Sequence, residues 1–312
     1  MIRSYRFKVI GALGFLLVWP ATAVLAAEDI QLSEVVSGIY VYQGVHEQMS
    51  PANLGAIGNS GFIIGERAVA VIDPGGSPEF GRLLNAAVRK VTDLPIEYLV
   101  LTHFHPDHVA GSSAFPDVVQ VIAHENYAQA MTQRAQFFVE RFAELLPGSV
   151  QEIFRLPTTK VLAGQSIDID LGGRVLSIEA HPLAHTDNDI TVHDRRSNTL
   201  WASDLIFSER TPSLDGSLKG WLEVLNSLDS RNYDLTVPGH GEPDFWPGLL
   251  EPQKEYLQLL LEDVRKMLDK GTPLSEVLAI HDASHSSKSG WALYAAQHGS
   301  NLAKAYSELE WE

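Results

Sequence analysis

The chain has 312 residues, 45% of them hydrophobic, enough to bury the core of one large domain or two small ones. Its 23 basic residues face 39 acidic ones, a formal charge of −16 that disfavours nucleic acid and anionic membrane surfaces as partners. There is no cysteine, which excludes disulfides and thiolate metal ligands.

Residues 1–26 read as a secretory leader. Arg3, Arg6 and Lys8 give a positive start, Val9 to Trp19 is apolar, and Val24-Leu25-Ala26 resembles a small-residue cleavage site. The apolar run is short for a membrane span and Pro20 interrupts it. With no twin-arginine pair and no cysteine to carry a lipid, the expected route is general secretion to a Gram-negative periplasm. Stable membrane association is not expected after cleavage. Loss of the leader takes the charge to −19. Residues 27–312 are expected to form one domain, since no Ser/Gly-rich linker divides them.

The predicted elements run as follows. Gly38 to Gly44 reads as a strand. Gly61–Gly65 and Ala68–Ile72 form a hairpin around Glu66-Arg67. Phe80 to Val91 has helical spacing, and Ile96–Leu101 is a short buried strand leading to His103. A short helix follows over Asp107–Phe115, then a strand over Val118–Ala123. Asn126 to Leu146 reads as a long amphipathic helix whose Tyr127, Met131, Phe137, Phe138 and Phe142 fit core packing or, alternatively, a hydrophobic wall of the pocket. Strands are expected over Ile167–Ile169, Arg174–His181, Ile190–His193 and Leu200–Ser203. A helix near Trp221–Leu228 precedes the strand leading to His240. Residues 249–312 read as an outer helical layer and C-terminal extension, broken at Gly271-Thr272-Pro273 and Ser289-Gly290.

Thr102-His103-Phe104-His105-Pro106-Asp107-His108 concentrates four metal-competent side chains at the end of a strand. His103 and His105 share one side of an extended chain. Pro106 breaks the strand and suits a first helical turn, so Asp107 and His108 face another way. His185, Asp204 and His240 each follow an apolar run in a loop-like context, Asp204 closing the strand Leu200–Ser203. Neutral imidazole and carboxylate suit zinc, and also iron or manganese. The other seven histidines lack this spacing and fit surface or core positions. His46 with Met49 on the long 45–60 loop could line an entrance. Arg210 could contact an acidic substrate, and Tyr127, Phe138 and Trp221 could form pocket walls.

This series strongly resembles the metallo-β-lactamase superfamily, with Val71-Ile72-Asp73-Pro74-Gly75-Gly76 similar to its structural Asp-x-Gly turn. The resemblance implies a four-layer αβ/βα sandwich, an α/β fold, and two divalent metal ions, zinc foremost. It assigns His103, His105 and His185 to one metal. Asp107, His108 and His240 go to the other, with Asp204 bridging them. It implies a bridging hydroxide acting on an activated acyl compound (thioester, ester or lactone), with Asp107 passing a proton to the leaving group. Lactamases of the superfamily usually lack the carboxylate at Asp204, which looks more like glyoxalase II, lactonase and SoxH-like members. Asn188 departs from the glycine common at that position and leaves the 186–189 loop shape open.

His46 to Asn53, Ala184 to Asp189 and Ala305 to Glu312 resemble the SoxH-like branch, which includes exported quinoprotein relay system zinc metallohydrolases. That implies a small-molecule substrate and a functional link to a periplasmic quinoprotein dehydrogenase or to sulfur oxidation. The acidic charge argues against the nuclease branch. Three alternatives stay open: a β-lactamase acting on β-lactam antibiotics, a non-catalytic metal-bearing binding or relay protein, and oxygen chemistry as in the superfamily's sulfur dioxygenases, which would require iron.

Overall fold

The structure is a computed structural model that describes residues 29–276 and 290–311. The expected leader, His281, His285 and Ser289 lie outside the described residues.

Two sheets stack face to face. The first has seven strands in chain order: β1 (Ser33–Val36), β2 (Ile39–Tyr42), β3 (Ser60–Ile64), β4 (Val69–Ile72), β5 (Ile96–Val100), β6 (Gln120–His124) and β7 (Thr159–Val161). Pairing is antiparallel up to β4 and parallel from β4 to β7. The second runs β13-β12-β11-β10-β9-β8, built from β8 (Ser166–Asp170), β9 (Val175–Ala180), β10 (Ile190–Asp194), β11 (Thr199–Phe207), β12 (Leu235–His240) and β13 (Asp244–Phe245). Only β11 and β12 pair in parallel there.

Alternation along the strands builds the layers, because successive side chains point to opposite faces. In β4, Ala70 and Ile72 enter the inter-sheet core with Val100, Ile178, Val192 and Trp201. Val69 and Val71 face the outer helices instead. That outer layer holds α1 (Pro78–Val91), the single turn α2 (Pro106–Val109), α3 (Tyr127–Arg141) and α4 (Val150–Ile153). Over the second sheet lie α5 (Leu218–Asp229), α6 (Leu250–Asp269) and α7 (Tyr294–Leu309), which share a core with Leu200, Ala202 and Phe207 of β11. The result is the four-layer αβ/βα sandwich with C-terminal helices inferred from sequence. Among the described residues, no helix is long and apolar enough to cross a membrane.

Several boundaries differ from expectation. The helix expected over Asp107–Phe115 is α2 followed by a separate 3-10 turn, Ser112–Ala114. The strands at Ser33, Thr159 and Asp244 carry too few apolar residues to stand out. The largest correction concerns β11. It continues through Asp204 to Phe207, so Asp204 sits inside a fully buried strand and not at its end. Pairing with β12 is irregular on both sides of Ser203, whose φ is +47°. Such a bulge re-aims the next side chain, and here it turns Asp204 towards the sheet edge. The neighbouring strand must be Gly239 at this point, because a Cβ there would collide with the Asp204 carboxylate.

A buried ion pair joins the sheets at their opposite end. Arg174 is 2% exposed and binds Asp194, fully buried, through Nε–Oδ1 (3.0 Å) and Nη2–Oδ2 (2.8 Å). Its Nη1 also donates to the carbonyls of Ser37 and Ile64 in the first sheet. Burial opposes ionisation of Asp194, but Arg174 and Ser197 hold its pKa below the usual carboxylate value. Asp194→Asn is therefore expected to cost about 3–5 kcal/mol in urea unfolding at neutral pH, since it strands a buried guanidinium. This contribution is complete above the unfolded pKa of about 3.9. It fades as pH falls through the lower folded value, so the gap between the two proteins narrows in acid.

Candidate metal centre

The seven residues singled out in sequence converge at one sheet edge. β5 delivers the chain to Thr102, whose N–H and hydroxyl both donate to Asp73 at the end of β4. His103 follows at a bend and His105 in extended backbone as the N-cap of α2, which Pro106 starts. Asp107 and His108 thus leave in a new direction. His185 comes from the loop after β9, Asp204 from the bulge in β11, and His240 from the end of β12.

Two groups result, one of His103, His105, His185 and Asp204, the other of Asp107, His108 and His240. In the first, His105 Nδ1 lies 3.1 Å from both His103 Nε2 and His185 Nε2. Asp204 stands between the groups. Its Oδ1 is 3.0 Å from His108 Nε2, and its Oδ2 is 3.4 Å from His185 Nε2 and 3.5 Å from His240 Nε2. Asp107 Oδ2 lies 3.6 Å from His108 Nε2 and 3.5 Å from His240 Nε2.

The outer ring nitrogens fix the tautomers. His185 Nδ1 lies 2.7 Å from the Ser213 carbonyl, and His240 Nδ1 2.7 Å from the Ile57 carbonyl. His108 Nδ1 is 3.0 Å from Asp73, and His105 Nε2 is 3.1 Å from Asp215. Each partner is an acceptor, so each outer nitrogen carries the proton. His103 Nδ1 is 3.0 Å from Thr102 Oγ1, whose own proton goes to Asp73, so this nitrogen also donates. Five imidazoles therefore turn their other nitrogens to a space they share with two carboxylates. His108 Nε2 and Asp204 Oδ1 are buried with no well-directed hydrogen bond. A donor set of inward ring nitrogens and carboxylate oxygens fits divalent cations.

The electrostatics agree. Burial pushes the His185 imidazole down to about 4 and His103 well below the usual range, keeping both neutral. Burial also penalises charge on His108, yet Asp204, Asp107 and Asp73 together raise it well above the ordinary value. The three carboxylates thus favour positive charge at that spot, the charge a bound cation would supply. Burial would raise the Asp204 carboxyl, but His108, His240 and His103 hold it well below normal.

The cluster opens onto a cleft of about 380 Å³. Phe137, Phe138 and Phe142 line it, so the far end of α3 is a cleft wall and not core packing alone. Phe137 is 62% exposed. Tyr127 and Trp221 are fully buried and do not line the cleft, and Trp221 instead backs the His185 ring at 5.1 Å. Gln48, Met49 and Arg210 do line it, whereas His46 pairs with Glu209 at 3.3 Å. Asn188 is buried inside a turn held by Asp189 and Thr186, the 2.8 Å bond from Thr186 N to Asp189 closing it. Sequence reasoning missed Asp215, Ser213 and Ile57. Two of these act through main-chain carbonyls, which leave no sequence signal.

The family model described as "Metallo-beta-lactamase superfamily" matches residues 54–240. The "Probable metallo-hydrolase YqjP" of Bacillus subtilis is 28% identical over 246 residues, covering 67% of this chain and 75% of that protein. Among solved structures, the inverting sec-alkylsulfatase Pisa1 of Pseudomonas sp. superposes with TM-score 0.67 at 17% identity, over 90% of this chain and 50% of its own. The metallo-β-lactamase of Pontibacter korlensis gives 0.58 at 19% identity, over 73% of this chain and 98% of its own. At these identities the structures attest the fold alone.

Stripped protein is expected to take up two equivalents of zinc in a competition titration. Binding adds about 4 kcal/mol at a free zinc level a thousandfold above Kd, read as a rise in Tm. Asp204→Ala should weaken both equivalents. A variant that kept both at full affinity would contradict the bridging position.

Proposed function

The chain belongs to the metallo-β-lactamase superfamily, and on that premise we propose that it is an exported metal-dependent hydrolase of an activated acyl compound, a thioester, ester or lactone. One observation carries this reading: the cluster is not sealed. His105 and Asp107 are its partly exposed members, with side chains 17% and 13% accessible, and both face the cleft. Structural metal sites close all positions, whereas catalytic ones keep one open.

His103, His105 and His185 would hold one cation, Asp107, His108 and His240 the other, with Asp204 shared; zinc suits the set best, and iron or manganese accept it. When bound, the cations supply Lewis acidity and bring the pKa of a water near 7. The chain's own part is positional and protolytic. Burial favours a neutral Asp107, but His108 and His240 keep its carboxyl below the usual value, so it is ionised at neutral pH. Asp107 Oδ2 accepts the proton of the attacking water and returns it to the leaving group. Phe137, Phe138 and Phe142 shield one side of the acyl group from solvent.

Arg210 extends the substrate class to compounds bearing an anionic group. Its guanidinium makes one hydrogen bond, to the Glu47 carbonyl at 3.3 Å, and pairs with no carboxylate among the described residues. Burial lowers its pKa, while Asp107 and Asp204 favour its charge. With cations in the cluster those carboxylates would be offset, and Arg210 would be left to a substrate anion. Export to the periplasm and a link to a quinoprotein dehydrogenase belong to the same proposal, supported by the leader-like residues 1–26 and the SoxH-like segments. β-Lactam hydrolysis is disfavoured by Asp204.

Zinc-loaded protein should hydrolyse aryl thioesters or lactones and lose that activity to a chelator. Asp107→Asn should lower kcat at least a hundredfold. Arg210→Met should raise KM about tenfold for carboxylate-bearing substrates and leave neutral ones unchanged. Efficient, chelator-sensitive turnover of nitrocefin in place of acyl esters would overturn the reading.

A further inference from the structure

We infer that the C-terminal helix α7 is a working part of one metal site only: Asn301 and Glu308 clamp the 212–219 segment, which in turn orients His105 and His185. The inference rests on the reading of the cluster as a cation site.

The chain of contacts is short and buried. Asn301 is fully buried. Its Nδ2 donates to the Pro212 carbonyl at 2.6 Å, and its Oδ1 accepts from Leu214 N–H at 3.0 Å. One amide side chain thus holds the backbone on both sides of Ser213. Ser213 is the residue whose carbonyl accepts from His185 Nδ1. At the other end, Glu308 accepts from the Ser217 hydroxyl at 2.6 Å, from Leu218 N–H at 2.7 Å and from Lys219 N–H at 3.3 Å. It tethers the start of α5, where free N–H groups favour a carboxylate.

Between the two clamps sits Asp215, which bonds His105 Nε2 and is braced by Arg134 Nη1 at 3.2 Å. Arg134 in turn lies over the Phe104 ring, 4.7 Å from its centroid. The segment also touches the histidine loop through its backbone: Asp215 N–H and Gly216 N–H both donate to the His185 carbonyl. Gly216 permits this approach, since a Cβ there would strike the Ala184 carbonyl.

The second site is held differently. His108 leans on Asp73, and His240 on Ile57, with Asn59 clamping the His240 turn through the Pro238 and Gly241 carbonyls at 2.8 Å each. None of these contacts involves α7. Partners that orient metal ligands are typically worth 10- to 100-fold in affinity, so damage at Asn301 should fall on one site.

The test uses the full chain with zinc, read by chelator competition. Asn301→Ala is made in a His240→Ala background, which leaves the His103–His105–His185 site, and in a His185→Ala background, which leaves the other. Affinity should fall at least tenfold in the first and stay unchanged in the second. Glu308→Gln should act in the same direction. Leu302→Ala removes core packing from α7 but none of the clamping hydrogen bonds, and so separates positioning from general loosening. At a matched loss in Tm, Leu302→Ala should leave zinc affinity intact. Equal weakening by Leu302→Ala and Asn301→Ala, or no weakening by Asn301→Ala, would overturn the inference while the cation site itself stood. If the unaltered protein took up no zinc, the parent reading would fail and this one with it.

Discussion

Five imidazole lone pairs aimed at one small space are the constraint on which the rest of the site depends. Each ring is fixed by a hydrogen bond from its outer nitrogen, to Thr102, Asp215, Asp73, Ser213 and Ile57. Without a cation, those inward nitrogens and the Asp204 carboxylate would be buried polar groups lacking partners, a costly state in a low-dielectric interior. With cations, the same atoms form a ligand set. The outer partners come from both sheets and from loops up to 183 residues apart in sequence. The fold is therefore the device that keeps the lone pairs convergent.

Both sheets must hold their relative position for this to work. Asp73 gathers Thr102, His108 and Ser203, so one carboxylate from the first sheet reaches the β11 bulge in the second. Asn59 makes the complementary link from β3's approach to the end of β12. At the far end of the sandwich, Arg174 and Asp194 tie the sheets again. Rigid strands carry the ligands, while the loops facing the cleft are free to set specificity.

Much of this was legible in the sequence. Short apolar runs bounded by turn residues revealed β2 to β6 and β8 to β12. The His-x-His-x-Asp-His run, with Pro106 inside it, revealed how one segment serves two groups. Asp204 was found by chemistry and misplaced by pattern, because an apolar strand with an aspartate inside it reads as a strand that has ended. A bulge at Ser203 makes the difference, and no composition signal marks it. Among the α3 aromatics, periodicity alone favours core packing over a pocket wall, because it records amphipathicity, not whether the apolar face meets another layer or a cleft. Asn301 and Glu308 were invisible for another reason: they are ordinary helix residues whose partners lie 87 to 91 positions away.

The substrate reading draws on the same physics. With cations bound, the cluster beside Arg210 would carry positive charge beyond its two carboxylates, and the α3 wall offers apolar surface to the remainder of the molecule. The measurement that tests the central claim most directly is anomalous diffraction from crystals grown with zinc, collected on both sides of the zinc edge. The account predicts two edge-dependent peaks, one among His103, His105 and His185 and one among Asp107, His108 and His240, both touching Asp204. No peak within this cluster, with zinc bound elsewhere or not at all, would contradict it.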